Sequence, residues 1–163
     1  MNIVYINGYN GDKSKKPELI SMLINRDIKH IKYIYNKTTF EEIEYQCKDA
    51  DIIIGSSTGA YIGRIIAEKH NNSLVSLNPV INLEETFRKL KVKTPIFPKM
   101  QDLLLEEIIF LNKDDSLLDY TKTYDKYTTQ CVMFKNGGHR FENINEIKEY
   151  LLNFINQVSL WRD

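Results

Sequence analysis

Short apolar runs rich in β-branched residues recur along the chain, and each is followed by a stretch whose apolar positions return every three or four residues. The runs at 2–6, 29–35, 51–54, 73–77, 107–111 and 129–134 read as strands. Most are apolar without alternation, as expected for strands of a parallel sheet covered on both faces. Helical stretches follow them: Pro17 opens one that runs to about Asn25, and Thr38 or Thr39 caps one that carries Ile43 and Cys47 on a single face. A third ends at about His70, a charged amphipathic segment lies within 81–93, and a fifth spans about 117–126. Asn143 is the expected cap of a last helix bearing Ile144, Ile147, Leu151, Phe154 and Ile155.

Strand and helix alternate without internal repeat or low-complexity linker, which predicts an α/β fold: a doubly wound, mostly parallel sheet in a single domain over 1–163. Such sheets bind ligands at the carboxyl ends of their strands. The segment 94–98, Thr-Pro-Ile-Phe-Pro, cannot continue a helix, so 79–102 is expected to leave the sheet as a short cover segment over the cleft.

The strand at 51–54 runs into Gly55-Ser-Ser-Thr-Gly59 and then directly into a helical pattern. Strand, Gly-x-Ser-x-Gly and helix together are the context of a nucleophile elbow, in which a sharp reversal presents the central serine to a cleft. Ser57 is that serine. Gly55 and Gly59 flank it where a side chain would meet the folded-back chain, and Ala60 and Gly63 keep the helix face small. A serine hydroxyl needs a base that titrates near neutrality and a group that fixes the base's tautomer. Among three histidines, His139 is the candidate base, carried by a Gly-Gly-His loop after the last strand. His30 reads as an ordinary strand residue, and His70 as a helix C-terminal residue favoured by the dipole. Asp114 and Asp115, after the strand at 107–111, compete for the role of orienting carboxylate, and either could cap the next helix. The order Ser57, aspartate, His139 is that of α/β-hydrolases. Backbone amides of Thr58 and of Tyr9, in the Gly-containing loop after the first strand, are the candidate oxyanion donors.

Composition narrows the partners. Lysine plus arginine equals aspartate plus glutamate at 22 each, without basic runs, so neither a nucleic-acid footprint nor a membrane-surface patch is expected and a neutral or small substrate fits better. Lys13 to Lys16 are read as a solvated helix start, and Glu84, Glu85, Arg88 and Lys89 as a solvated helix face. No signal-peptide pattern opens the chain and no apolar run reaches membrane-span length, which predicts a cytosolic protein. Cys47 and Cys131 are expected as reduced thiols. The scattered histidines lack ligand spacing, so no metal is expected, and dinucleotide-type glycine loops are absent after the first strand.

Tyr5-Ile-Asn-Gly-Tyr9, Gly55-Ser-Ser-Thr-Gly-Ala-Tyr61, Leu77-Asn-Pro-Val80, Asp115-Ser-Leu-Leu-Asp-Tyr120 and Gly137-Gly-His-Arg-Phe141 resemble, in order and over nearly the whole chain, the motifs of the small YqiA-type bacterial esterases of the α/β-hydrolase superfamily. The resemblance implies a minimal α/β-hydrolase fold and hydrolysis of short acyl esters or thioesters without a cofactor. Its register at Leu118-Asp119-Tyr120 selects Asp115 over Asp114 as the triad acid. Asn7-Gly8 stands where that family usually has His-Gly, and Thr58 replaces its commoner leucine. The alternative expectation is a hydrolase-fold protein that binds a small ligand or a protein partner without turnover.

Overall fold

The computed structural model describes residues 1–11, 13–100 and 106–162. Asp12, at the end of the first loop, and residues 101 and 102, at the end of the expected cover segment, lie outside the described residues. Six strands form one parallel sheet: β1 (Ile3–Ile6), β2 (Lys29–Ile31), β3 (Ile52–Ser56), β4 (Ser73–Leu77), β5 (Glu107–Asn112) and β6 (Cys131–Phe134). Their order is β2-β1-β3-β4-β5-β6. The chain therefore steps outward from β1 to β2 and then back across it to β3, so the topological switch point lies between β1 and β3.

Both faces of the sheet are covered. Side chains alternate along β1 and β3: Val4, Ile6 and Ile53 pack with α2 (Phe40–Cys47) and α3 (Thr58–His70), through Ile43, Ile62 and Ile66. Ile3, Tyr5, Ile52 and Ile54 face the other way, against Ile20 and Ile24 of α1 (Lys16–Ile24) and Leu151, Phe154 and Ile155 of α6 (Lys148–Arg162). Period-two alternation with apolar residues in both registers is why these strands carry no polar face. The short helices α4 (Leu83–Lys89) and α5 (Tyr120–Tyr127) complete the layers, α5 laying Tyr127 against Ile109 and Leu111. No helix among the described residues is long and apolar enough to cross a membrane.

Several boundaries move from their expected places, each for a local reason. The second strand stops at Ile31 rather than at residue 35, because Thr38 Oγ1 accepts from the Ile34 amide and Asn36 enters left-handed geometry (φ 58°) to close a turn. Tyr33 and Tyr35, which looked like strand residues, instead brace neighbouring segments: Tyr33 donates to Asn7 O at 3.1 Å, and Tyr35 stacks on Phe87 of α4. Helix α5 begins at Tyr120, not near 117, because the amides of Leu117 and Leu118 both donate to Asp115 and Asp119 supplies the cap. The last strand begins two residues late, behind a 3-10 turn over Thr128–Gln130. Asn143 does not cap the last helix with its side chain, which accepts from Asn112 instead, and a 3-10 turn over Ile144–Ile147 precedes α6. Within the expected cover segment, Phe97 lies on Phe40 at the start of α2, and Pro98 O accepts from the Tyr61 hydroxyl in the first turn of α3.

His30 is more than a strand residue. Its Nε2 lies 2.6 Å from Asn7 Nδ2, so the neutral imidazole accepts a hydrogen bond that ties β2 to the loop after β1. Partial burial, then the nearby Lys32 charge, depress the His30 pKa below its ordinary value, with Glu18 opposing them. A histidine held neutral in the fold contributes stability at pH values above the unfolded-state pKa and loses it as the pH falls through the lower folded pKa. The urea midpoint is expected to drop between pH 7 and pH 5, and His30→Gln is expected to lose part of that pH dependence; an identical profile in the variant contradicts the assignment.

The close approach of α3 to the sheet gives a second expectation. A Cβ at Gly59 would collide with the carbonyl oxygens of Ile6 and Asn7, both backbone atoms that cannot turn aside. Gly59→Ala is expected to lower the unfolding free energy by about 2–4 kcal/mol, read from the urea midpoint, because strain at a fixed backbone contact belongs to the strongly destabilising class.

Candidate active site

The carboxyl ends of β1 and β3, at the switch point, carry Tyr9, Ser57 and Thr58, while Asp115 and His139 follow β5 and β6. β3 ends at Ser56, and α3 starts two residues later. Ser57, squeezed between them, takes φ 54° and ψ −118°, a strained backbone for a residue with a side chain. Four backbone hydrogen bonds hold it there: Ser57 N donates to Leu77 O at 2.9 Å, and Ser57 O accepts from Ala60 N at 3.0 Å, Val80 N at 3.2 Å and Tyr61 N at 3.4 Å.

The hydroxyl so presented meets a histidine. Ser57 Oγ is 3.1 Å from His139 Nε2, and His139 Nδ1 is 2.8 Å from Asp115 Oδ2. The Asp115 side chain is only 2 % exposed, against 24 % for His139. Its second oxygen accepts from the amides of Leu117 and Leu118 at 2.8 and 2.9 Å, so every lone pair aimed inward has a donor. Both ring nitrogens of His139 thus have partners of the kind that fix an imidazole's tautomer and orientation.

Asp114, the competing neighbour, turns to the histidine loop instead. It accepts from Gly138 N at 2.8 Å and from Gly137 N at 3.2 Å. Two asparagines complete the clamp. Asn78 Nδ2 donates to Gly138 O at 2.8 Å while Asn78 Oδ1 accepts from Asn112 N, and Asn112 Nδ2 donates to Gly138 O at 3.1 Å. Gly137 and Gly138 run at φ 140° and 59°, the geometry that lets one short loop offer its amides and a carbonyl to side chains at the ends of β4 and β5. Asn112 carried no signal in the sequence beyond its place at the end of a strand, and Asn78 belongs to the Asn-Pro-Val motif.

Tyr9 and Thr58 both line the cavity in front of Ser57, which measures about 430 Å³. Thr58 opens α3, so its amide is one of the N–H groups a helix leaves without an internal partner. Tyr9 sits in a turn closed by Gly11 N donating to Gly8 O at 3.0 Å. Its ring meets Tyr35 and Phe87 edge-on, with centroids 4.7 and 5.5 Å away. The remaining apolar lining comes from Leu90 and Leu117, and Lys13, Lys16 and Arg140 line it as well. The expectation of a solvated lysine stretch at 13–16 fails at Lys16: its ammonium donates to Ser56 Oγ at 3.2 Å inside the cavity, because α1 begins there and points its first side chain back to the end of β3. His70 lies far from all of this, 2.6 Å from Glu44 between α3 and α2.

No protein-family model matches the chain, and no curated protein matches it. Solved structures do. An esterase domain from Rhodothermus marinus superposes with a TM-score of 0.73 at 10% identity, over 96% of this chain and 86% of that one. An esterase of Pyrococcus furiosus gives 0.71 at 12% identity, over 97% and 81%. A hormone-sensitive lipase from a metagenome library gives 0.67 at 14%, over 94% and 77%. What the chain shares with them is the architecture, and the six-stranded parallel sheet with helices on both faces is an α/β-hydrolase fold.

Proposed function

We propose that this protein is a cytosolic serine hydrolase that cleaves short acyl esters or thioesters, the activity expected from its resemblance to the YqiA-type esterases. The observation that carries the reading is the unbroken hydrogen-bond chain from Ser57 Oγ through His139 to buried Asp115. In the reaction, Ser57 Oγ attacks the acyl carbonyl while His139 Nε2 takes its proton. Asp115 holds the Nδ1–H tautomer and stabilises the imidazolium that forms. Negative charge gathers on the carbonyl oxygen, where the amides of Thr58 and Tyr9 are the proposed donors. The tetrahedral intermediate collapses, the alcohol or thiol leaves with the proton from His139, and an acyl-Ser57 ester remains. Water then repeats the sequence with His139 as base and frees the acid. The proposed cycle uses the chain's own residues, a small acyl substrate and water, without a cofactor. Two free thiols, Cys47 and Cys131, suit a reducing compartment.

A fluorophosphonate probe read by intact mass is expected to add once to the wild-type protein and not to Ser57→Ala. A folded wild-type protein that takes no label overturns the reading and favours a hydrolase-fold binding protein. The two neighbouring aspartates separate by role. Asp115→Asn is expected to lower kcat by up to ~10⁴, since the histidine loses the partner that fixes its tautomer. Asp114→Asn keeps the His139 contact and loosens only the loop, so its loss in kcat is expected to be much smaller; the reverse order shows that Asp114 is the orienting acid.

A further inference from the structure

The cavity in front of Ser57 is electrostatically lopsided. Lys13, Lys16 and Arg140 line it, and no aspartate or glutamate does among the described residues. Lys16 and Arg140 reach it from opposite ends of the chain, the first from the start of α1 and the second from the residue after His139. Lys16 Nζ has a hydroxyl for a partner, Ser56 Oγ, one residue before Ser57. No ion pair satisfies Lys13, Lys16 or Arg140 among the described residues.

Burial, and then the charge of Arg140, bring the Lys16 pKa down to about 8, while Glu142 acts in the other direction. The like charges of Lys16 and Arg140 therefore act on each other across the cavity, opposed by Glu142, which does not itself line it. An ammonium this far buried, with no ion-pair partner among the described residues, is a costly arrangement in a fold that pairs Arg64 with Glu107. An anionic oxygen group entering with the substrate relieves both the desolvation of Lys16 and its repulsion by Arg140. The guanidinium fork adds directional donors for a carboxylate.

Resting on the serine-hydrolase reading above, we infer that the site prefers esters that carry a carboxylate, held by Lys16 and Arg140 close to the carbonyl that Ser57 attacks. The two cations are specificity residues, and the substrate is an acidic acyl compound rather than a neutral one. The charge can reside on the acyl part or on the alcohol part, and the two differ in which product keeps it.

Two matched pairs of esters test this. Mono-p-nitrophenyl adipate and its methyl ester differ only by a carboxylate on the acyl side; 4-acetoxybenzoate and its methyl ester differ only by one on the alcohol side. In at least one pair, kcat/KM is expected to favour the charged member by about tenfold, the effect of a charge-assisted contact that is partly solvated. That preference is expected to collapse toward one in Lys16→Met and in Arg140→Met, to persist in Lys16→Arg, and to shrink as salt is added. The pair that responds identifies the side that bears the charge. A ratio at or below one in both pairs, from protein whose Ser57 takes the fluorophosphonate, overturns this inference and leaves the hydrolase reading standing. A preference that survives unchanged in both methionine variants overturns it too. If Ser57 takes no label and no ester turns over, calorimetric titration with adipate decides: saturable binding lost in Lys16→Met supports the anion site, and no binding overturns it.

Discussion

The contact on which the site depends is backbone against backbone, where the first turn of α3 lies on the ends of β1 and β3. Gly59 rests on the carbonyls of Ile6 and Asn7, and Gly55 meets the backbone of Ala60, so no side chain separates helix from sheet. That closeness leaves Ser57 one conformation, with φ 54° and ψ −118°. Strain of this sort, of order 1–3 kcal/mol, persists only where the surroundings over-determine it. Here the carbonyl of Leu77 and the amides of Ala60 and Val80 do so. The serine is thus aimed by the fold itself rather than by contacts of its own side chain.

The histidine is aimed differently. Its loop has two glycines and no regular structure, and it is positioned by polar side chains at the ends of β4 and β5. Asn78 and Asn112 each touch the same carbonyl, Gly138 O, while Asp114 collects the two glycine amides. A shift of β4 or β5 relative to β3 would therefore move His139 relative to Ser57, and the parallel ladders among the three strands oppose such a shift. The sheet ties the two halves of the site together, and Tyr5 of β1 and Ser56 of β3 line the cavity themselves.

Much of this was readable from the sequence because it is governed by short-range rules. Gly-x-Ser-x-Gly between an apolar run and a helical pattern has few structural outcomes, and the alternation of strands and helices limits the sheet to a few topologies. Other features depended on contacts distant in sequence. Tyr33 and Tyr35 extend the β-pattern of the second strand, yet the turn at Asn36 removes them from it and their rings go to Asn7 and Phe87. Asp115 looked equally suited to capping a helix; it does bind the amides of Leu117 and Leu118, and its other oxygen reaches His139 across 24 residues. Asp115 binds those amides in the bend before α5, while Asp119 caps the helix itself.

Net charge misled in an instructive way. A chain with equal numbers of acidic and basic residues gives no reason to expect a field in its cleft, but the sum says nothing about where charges fall. Lys13 and Lys16 stand three residues apart on either side of the start of α1, and only Lys16 reaches Ser56. Arg140 reaches the same cavity only because the Gly137-Gly138 bend turns the chain at His139. Three glutamates meanwhile are paired elsewhere: Glu44 with Lys69 and His70, Glu85 with Lys89 and Lys122, Glu107 with Arg64. A chain of zero net charge thus lines the cavity in front of Ser57 with three basic side chains and, among the described residues, no acidic one. The field acts over the few ångströms where a low local dielectric makes it count.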